Sequence, residues 1–278
     1  MFIYKEDGGV GYYYSTLLQS LHAFSTRKGG VSRLPETAGL NLAFGRGDDE
    51  ATVLENLRLF ASAVGVTAER VISLPQVHGT QVLHVTPDDA GRGYFQSAKG
   101  ESDGYMTEHE SLPLGVKSAD CVPVLLEARD AHGCVLAVAA VHAGWRGTAG
   151  GIVVRAVQAL QAQCGEYADI FAAIGPCIGQ CCFEVERDCV DVFERTWGAD
   201  LVKSCFIQAK TGKYYGDLVR VNRLLLAGAG VPDVQIDAAD ICTCCHPKQF
   251  FSHRYACKHA QGKRGTMLSI ICKQNAAH

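Results

Sequence analysis

Two histidines and one cysteine in this chain have the type and placing that a metal ion needs. His78 lies in the turn Gln76-Val77-His78-Gly79, Cys121 follows Ser118-Ala119-Asp120, and His142 opens the segment His142-Ala143-Gly144-Trp145-Arg146-Gly147-Thr148. Each borders an apolar run of the kind that forms a strand, so neighbouring strand ends could bring the three within ligand distance of one another. Two imidazoles and a thiolate suit zinc, and three protein ligands leave a fourth position open for water or substrate, which is the catalytic arrangement. Two other readings of these residues stay open. Cys121 could be a nucleophile with His142 as its base and no metal at all, and His78 taken alone could be an ordinary histidine in a turn. Asp120, next to Cys121, is placed either to move a proton or to orient a ligand.

Other residues could handle an anion. The glycine-bearing turn after His142 leads into a helix, whose first N–H groups can receive negative charge. Arg27 in Ser25-Thr26-Arg27-Lys28-Gly29-Gly30 and Arg254 in Phe250-Phe251-Ser252-His253-Arg254 carry the planar fork that grips phosphate or carboxylate by paired hydrogen bonds. The remaining cysteines are expected to be small packing residues. Cys242-Thr243-Cys244-Cys245-His246 contains the C-x-x-C-H spacing of covalent haem attachment. That chemistry needs export, and the stretch Met1 to Gly9, with Lys5, Glu6 and Asp7, has no signal-peptide character. No second C-x-x-C follows to complete a zinc site there, so the segment is read as packing, as are Cys177, Cys181 and Cys182.

The elements that must position these residues show in the hydrophobic pattern. Short β-branched runs at 71–74, 81–85, 122–126, 135–141, 170–174 and 267–271 predict strands. Apolar residues at helical spacing predict helices around Val53, Leu57, Phe60 and Val64, capped by Asp48 or Asp49; around Ile152 to Leu160; around Val185 to Trp197; and around Leu218 to Leu225, stopped by Gly228 and Gly230. Strands and helices mixed along the whole length indicate an α/β or α+β fold.

The composition excludes several classes. With 278 residues, 47% hydrophobic and 20% charged, the chain is a folded protein, long enough for one large domain or two small ones. Its 26 basic against 29 acidic residues, a net charge of −3, argue against nucleic-acid or anionic-membrane partners recognised by bulk charge. The longest apolar stretch, 134–143, is about half of what a membrane span requires. Thirteen cysteines, an odd count without an export signal, predict reduced thiols and a cytoplasmic location rather than a disulfide framework.

Taken together, these segments resemble the laccase-domain, YfiH-like family, also named polyphenol oxidase or peptidoglycan editing factor. The resemblance is carried by Thr26-Arg27 with Gly29-Gly30-Val31-Ser32, Asn41-Leu42, Gln76-Val77-His78-Gly79, Asp103-Gly104, Ala119-Asp120-Cys121-Val122-Pro123, His142-Ala143-Gly144-Trp145-Arg146-Gly147, Ile174-Gly175-Pro176-Cys177-Ile178 and Phe250-Phe251-Ser252 with Arg254. It runs nearly end to end and implies a single catalytic domain over 1–278, with a layered sandwich of mixed β-sheets flanked by helices. It departs from the family's pattern at Ala43 to Asp48, where a histidine is common, and at Tyr255.

The resemblance further implies a zinc site of His78, Cys121 and His142 and a pocket with Arg27, Asn41, Gln76 and Arg254 in its lining segments. The implied substrates are purine nucleosides and phosphate: phosphorolysis of adenosine, inosine and methylthioadenosine, with hydrolytic deamination of adenosine. Zinc is preferred to copper because copper(II) favours tetragonal nitrogen and oxygen sites and the chain has no His-x-His pair. The alternatives are a cysteine hydrolase editing cell-wall peptidoglycan precursors through Cys121, and a non-catalytic partner protein with a structural metal. Three ligands rather than four speak against the latter.

Overall fold

The structure is a computed structural model that describes residues 1–274, so the last four residues of the expected 1–278 domain lie outside the description. The first third of the chain forms β1 (Phe2–Asp7), β2 (Val10–Ser15), β3 (Leu21–Ser25), α1 (Glu50–Val64) and β4 (Val82–His84). The middle forms β5 (Gly104–Thr107), β6 (Leu114–Ser118), β7 (Val122–Arg129), β8 (Val135–Ala143), α2 (Trp145–Ala149), α3 (Ile152–Cys164) and β9 (Asp169–Ile174). The last third adds β10 (Glu184–Val185), α4 (Arg187–Trp197), α5 (Ala199–Cys205), β11 (Phe206–Gln208), β12 (Tyr214–Gly216), α6 (Leu218–Gly228), β13 (Ile236–Ala238), α7 (His253–His259) and β14 (Met267–Cys272).

Two large sheets lie face to face. One runs β1-β2-β3-β14-β6 and the other β13-β9-β7-β8-β5-β4, with a small sheet β10-β12-β11 beside them. β7 and β8 sit at the centre of the six-stranded sheet and are buried on both faces, which is why they read as unbroken apolar runs. Their side chains divide with the strand period of two. Val122, Val124, Leu126 and Ala128 pack with α3, α4 and α6, while Leu125 on the other face packs with Phe24, Leu114, Val116 and Ile271 of the facing sheet. The outer face of the five-stranded sheet is covered by Val53, Leu57, Phe60 and Val64 of α1. The layers are therefore helix, sheet, sheet, helices: a mixed α/β sandwich, as the family resemblance implies.

Helix ends follow local chemistry. Asp49 caps α1 by accepting from the Thr52 N–H, and Gly65 ends it in the left-handed region at φ 88°. Three expectations are corrected. The run 71–74 makes a single bridge, Ile72 to Leu114, and not a strand, because Ser73 N–H turns away to the Arg92 carbonyl. Val185 belongs to β10 rather than to the helix that follows it. α6 runs through Gly228 and is capped by Ala229.

Because β7 and β8 are antiparallel, as are β5 and β8, the C-terminal end of β8 meets the N-terminal ends of β5 and β7. β4 is parallel to β5, so the loop that leads into β4 arrives at the same edge. That edge carries the site.

Candidate metal centre

His142 lies next to the last residue of β8, paired with Pro123 of β7, and Cys121 immediately precedes β7. His78 sits in the loop before β4. The donor atoms of these three side chains lie within 4.8 Å of one another. The His78 and His142 rings meet edge to face at 4.9 Å between centroids, and Cys121 Sγ is 3.8 Å from His78 Nε2.

A carboxylate that sequence reasoning did not select holds this arrangement. Asp103, fully buried just before β5, accepts hydrogen bonds from the backbone N–H groups of Val77, His78 and Gly79 at 3.0, 3.0 and 2.7 Å. It also accepts from His142 Nδ1 at 2.7 Å. A carboxylate can only accept, so the His142 proton is fixed on Nδ1 and Nε2 is left for a ligand. The three backbone contacts hold His78 in the left-handed region at φ 59°, where a non-glycine residue needs such support. Burial pushes the Asp103 carboxyl up, but His142 and the Gly79 and Val77 N–H groups outweigh it and bring it below the usual range.

The electrostatics suit a cation. Burial pushes the Cys121 thiol up, yet His142 and His78 overcome it and lower it to about 6. His142 is driven down by burial and raised more strongly by Asp103 and Cys121, to about 9. Gly144 completes the cradle, because a Cβ there would lie 2.6 Å from His78 Cδ2, 3.4 Å from Cys121 Sγ and 3.5 Å from His142 Cε1. One thiolate, two imidazoles and a pocket that even a methyl group would fill fit one divalent ion with an open position.

Two clefts meet at this centre, sharing His78, Ala119 and Cys121 in their walls. The first, about 340 Å³, has Arg46, Lys117 and Arg264 among its lining residues and no carboxylate. Lys117 Nζ donates to the Ser73 carbonyl at 3.0 Å, and burial with the neighbouring Arg46 lowers its amine to about 8. The second, about 400 Å³, is lined by Trp145, Ile178, Phe183, Val185 and Leu218 together with Asp120, Glu186, Asp188, Arg146 and Arg254.

The residues expected in the pocket divide. Gln76 lines the first cleft, with its side-chain amide paired to the backbone of Lys117 at 2.8 and 2.7 Å. Arg254 lines the second, its guanidinium donating to the Cys182 and Glu184 carbonyls. Arg27 and Asn41 lie outside both. Arg27 stacks on Phe251 and spends its donors on the Pro247 and Ala38 carbonyls, so it braces loops instead of reaching the centre. Asn41 is fully buried among Ala43, Asp48 and Thr266, and its part is to shape the loop that carries Arg46.

Asp120 lines the second cleft beside Cys121. Its two oxygens accept from Thr243 Oγ1 and from the Arg254 N–H, both at 2.6 Å, so it also anchors the start of α7; the carboxylate bonded to His142 is Asp103. Arg46, Lys117 and Arg264 had no motif to announce them. The departure at Ala43 to Asp48 was the available sign for Arg46. The cysteines of 242–246 do not stand alone either: the sulfurs of Cys242 and Cys245 converge with those of Cys181 and Cys182.

This fold with this centre belongs to the family described as multi-copper polyphenol oxidoreductase laccase, which the chain matches over residues 21–274. Among its relatives is the purine nucleoside phosphorylase YlmD of Geobacillus stearothermophilus, 37% identical over 252 residues, covering 89% of this chain and 88% of that one. The adenosine deaminase RL5 of an unknown prokaryotic organism is 33% identical over 241 residues, covering 85% and 89%. The crystal structure of the Bacillus licheniformis hypothetical protein YfiH superposes with a TM-score of 0.86 at 32% identity, over 98% of this chain and 99% of that one. Among the described residues no helix is long and apolar enough to cross a membrane.

Proposed function

We propose that this chain is an enzyme of purine nucleosides, with zinc rather than copper on His78, Cys121 and His142, acting as one domain in the cytoplasm. Its reactions are phosphorolysis of adenosine, inosine and methylthioadenosine, and hydrolytic deamination of adenosine. The observation that carries this reading is the meeting of two unlike clefts at the triad: one with three cations and no carboxylate, the other mainly apolar around Trp145 and Phe183 but also carrying Asp120, Glu186 and Asp188. An anion suits the first, and a flat heterocycle on its sugar suits the second. The Geobacillus relative is a purine nucleoside phosphorylase and RL5 an adenosine deaminase, which supports the same two reactions.

In phosphorolysis a phosphate oxygen bonds to C1′ as the glycosidic C–N bond breaks, and the purine leaves with a proton. In deamination, water adds at the amino-bearing carbon and ammonia leaves. The ion, when bound, supplies Lewis-acid activation of an oxygen nucleophile. Arg46, Lys117 and Arg264 hold the charge of phosphate. Trp145 and Phe183 offer faces to the purine, and Asp103 keeps the His142 proton on Nδ1.

A second reading has a specific observation behind it. A thiol lowered to about 6 beside an imidazole raised to about 9 is also a thiolate–imidazolium pair, the resting state of a cysteine nucleophile acting on cell-wall precursors. Metal analysis with product assays on adenosine and inosine, with and without phosphate, separates the two. The zinc reading expects metal in active protein and loss of both reactions in Cys121→Ala. Active metal-free protein that alkylation of Cys121 inactivates would replace it with the nucleophile.

A further inference from the structure

Outside the triad, one other group of described side chains converges its donor atoms. The sulfurs of Cys181, Cys182, Cys242 and Cys245 all lie within 4.8 Å of one another, with Cys245 Sγ 3.5 Å from Cys181 Sγ and 3.4 Å from Cys182 Sγ. Zinc with Zn–S bonds of about 2.3 Å spaces its four sulfurs about 3.8 Å apart in a tetrahedron. A disulfide needs about 2.0 Å.

Two turns deliver these sulfurs. Cys242 and Cys245 flank a C-x-x-C turn tied down by the Cys177 bridge and the Thr243 N–H bond to the Cys177 carbonyl at 2.9 Å. Cys181 and Cys182 sit in a turn closed by Cys182 and Phe183 N–H groups on the Gly179 carbonyl, each at 3.0 Å. The turns approach so closely that a Cβ at Gly179 would lie 3.1 Å from Cys242 Cβ and 3.4 Å from Cys181 Sγ. His246 is not among the converging donors, and its Nδ1 donates to the Cys242 carbonyl at 2.9 Å. The pair missing from the C-x-x-C segment is thus supplied from upstream in the chain, and by adjacent cysteines.

We propose that Cys181, Cys182, Cys242 and Cys245 form a second, structural zinc site, closed by four thiolates. Zinc enters as the divalent ion, the four S–H protons leave to solvent, and nothing is oxidised or reduced. The site clamps the wall of the apolar cleft. Thr243, between two of the ligands, donates to Asp120, and the carbonyl of Cys182 accepts from Arg254. With four protein ligands no position is open, so this ion holds structure and takes no substrate.

The test uses the full-length chain, reduced, loaded with zinc and desalted. Wild type should hold about two zinc per chain, and Cys121→Ala and Cys245→Ser about one each. Cobalt(II) loaded into Cys121→Ala should give the intense thiolate charge-transfer and tetrahedral bands of a four-sulfur site, absent when Cys245→Ser is added. Should Cys245→Ser fold poorly, wild type answers alone: zinc should protect Cys181, Cys182, Cys242 and Cys245 from alkylation, mapped by mass spectrometry, while exposed Cys134 reacts equally with and without zinc. Metal-free, cobalt-silent Cys121→Ala with the four cysteines unprotected would overturn the proposal, and so would a disulfide among them in protein alkylated at cell lysis. Failure of the triad reading shows instead as unchanged metal in Cys121→Ala, so the two outcomes are distinguishable.

Discussion

Replacing Asp103 by asparagine keeps the shape of the side chain and removes its charge. Four donors converge on the carboxylate: three backbone N–H groups and His142 Nδ1. The amide has one accepting oxygen, and its NH2 group must face a donor, so at least one buried N–H loses its partner at about 1–3 kcal/mol. The loss of charge weakens the contacts that remain, and a total of about 3–5 kcal/mol of stability is expected from these terms together. Metal affinity should fall by about 10–100-fold, because the His142 proton is no longer fixed on Nδ1.

The pH dependence has a definite sign. The folded Asp103 carboxyl lies below its ordinary value, so its stabilisation is complete above the unfolded pKa of about 3.9 and is lost as pH falls through the folded pKa. Thermal melts of wild type and Asp103→Asn across acidic pH, with zinc affinity measured against a competing chelator, give both numbers. If Asp103→Asn binds zinc within about twofold of wild type, well short of the expected drop, and melts at the same temperature, the carboxylate does not aim the imidazole.

Gly144→Ala should fold but lose most of its metal, read by circular dichroism and metal analysis, because the new methyl group would lie 2.6 Å from His78 Cδ2. For Lys117, whose amine titrates at about 8, the charge is present below that pH and lost above it. The KM for phosphate should therefore rise as pH passes 8 in wild type, and Lys117→Met should show a higher KM with a flatter profile in steady-state assays. Arg27→Ala should cost about 1–3 kcal/mol of stability through its carbonyl contacts and change phosphorolysis and deamination alike, checked by denaturant melts and parallel assays.

Sequence reasoning reached the elements whose residues are apolar for one physical reason. β7, β8 and β9 are buried, and α1, α3 and α6 show one apolar face. It missed β1, an edge strand whose Tyr4, Lys5, Glu6 and Asp7 face solvent, and β6, whose apolar run is interrupted by Gly115. α7 buries only Ala256 and so has no stripe to read. At the site, the nature of His78, Cys121 and His142 as donors could be read directly. Their orienting carboxylate could not, since Asp103 is defined by four hydrogen bonds to residues 24 to 39 positions away. Arg27 shows the converse: its type suits phosphate, but the fold places it outside both clefts with its two terminal nitrogens on backbone carbonyls.

The wiring of the two sulfur-bearing sites has a consequence for the unfolded chain. His78, Cys121 and His142 are 43 and 21 residues apart, so a denatured chain presents no pair of them within one turn. An ion on the triad recognises only the native state, and at a free concentration of about 100 times its dissociation constant it adds about 2.7 kcal/mol to folding. Cys242 and Cys245, by contrast, stay three residues apart in any conformation, and Cys181 and Cys182 stay adjacent. A metal held there keeps part of its affinity when the chain unfolds, and its leverage on the folding equilibrium is smaller by that residual binding. Chelation should therefore lower the melting temperature through both sites, the contribution of the four cysteines being reduced by the metal that the unfolded chain retains.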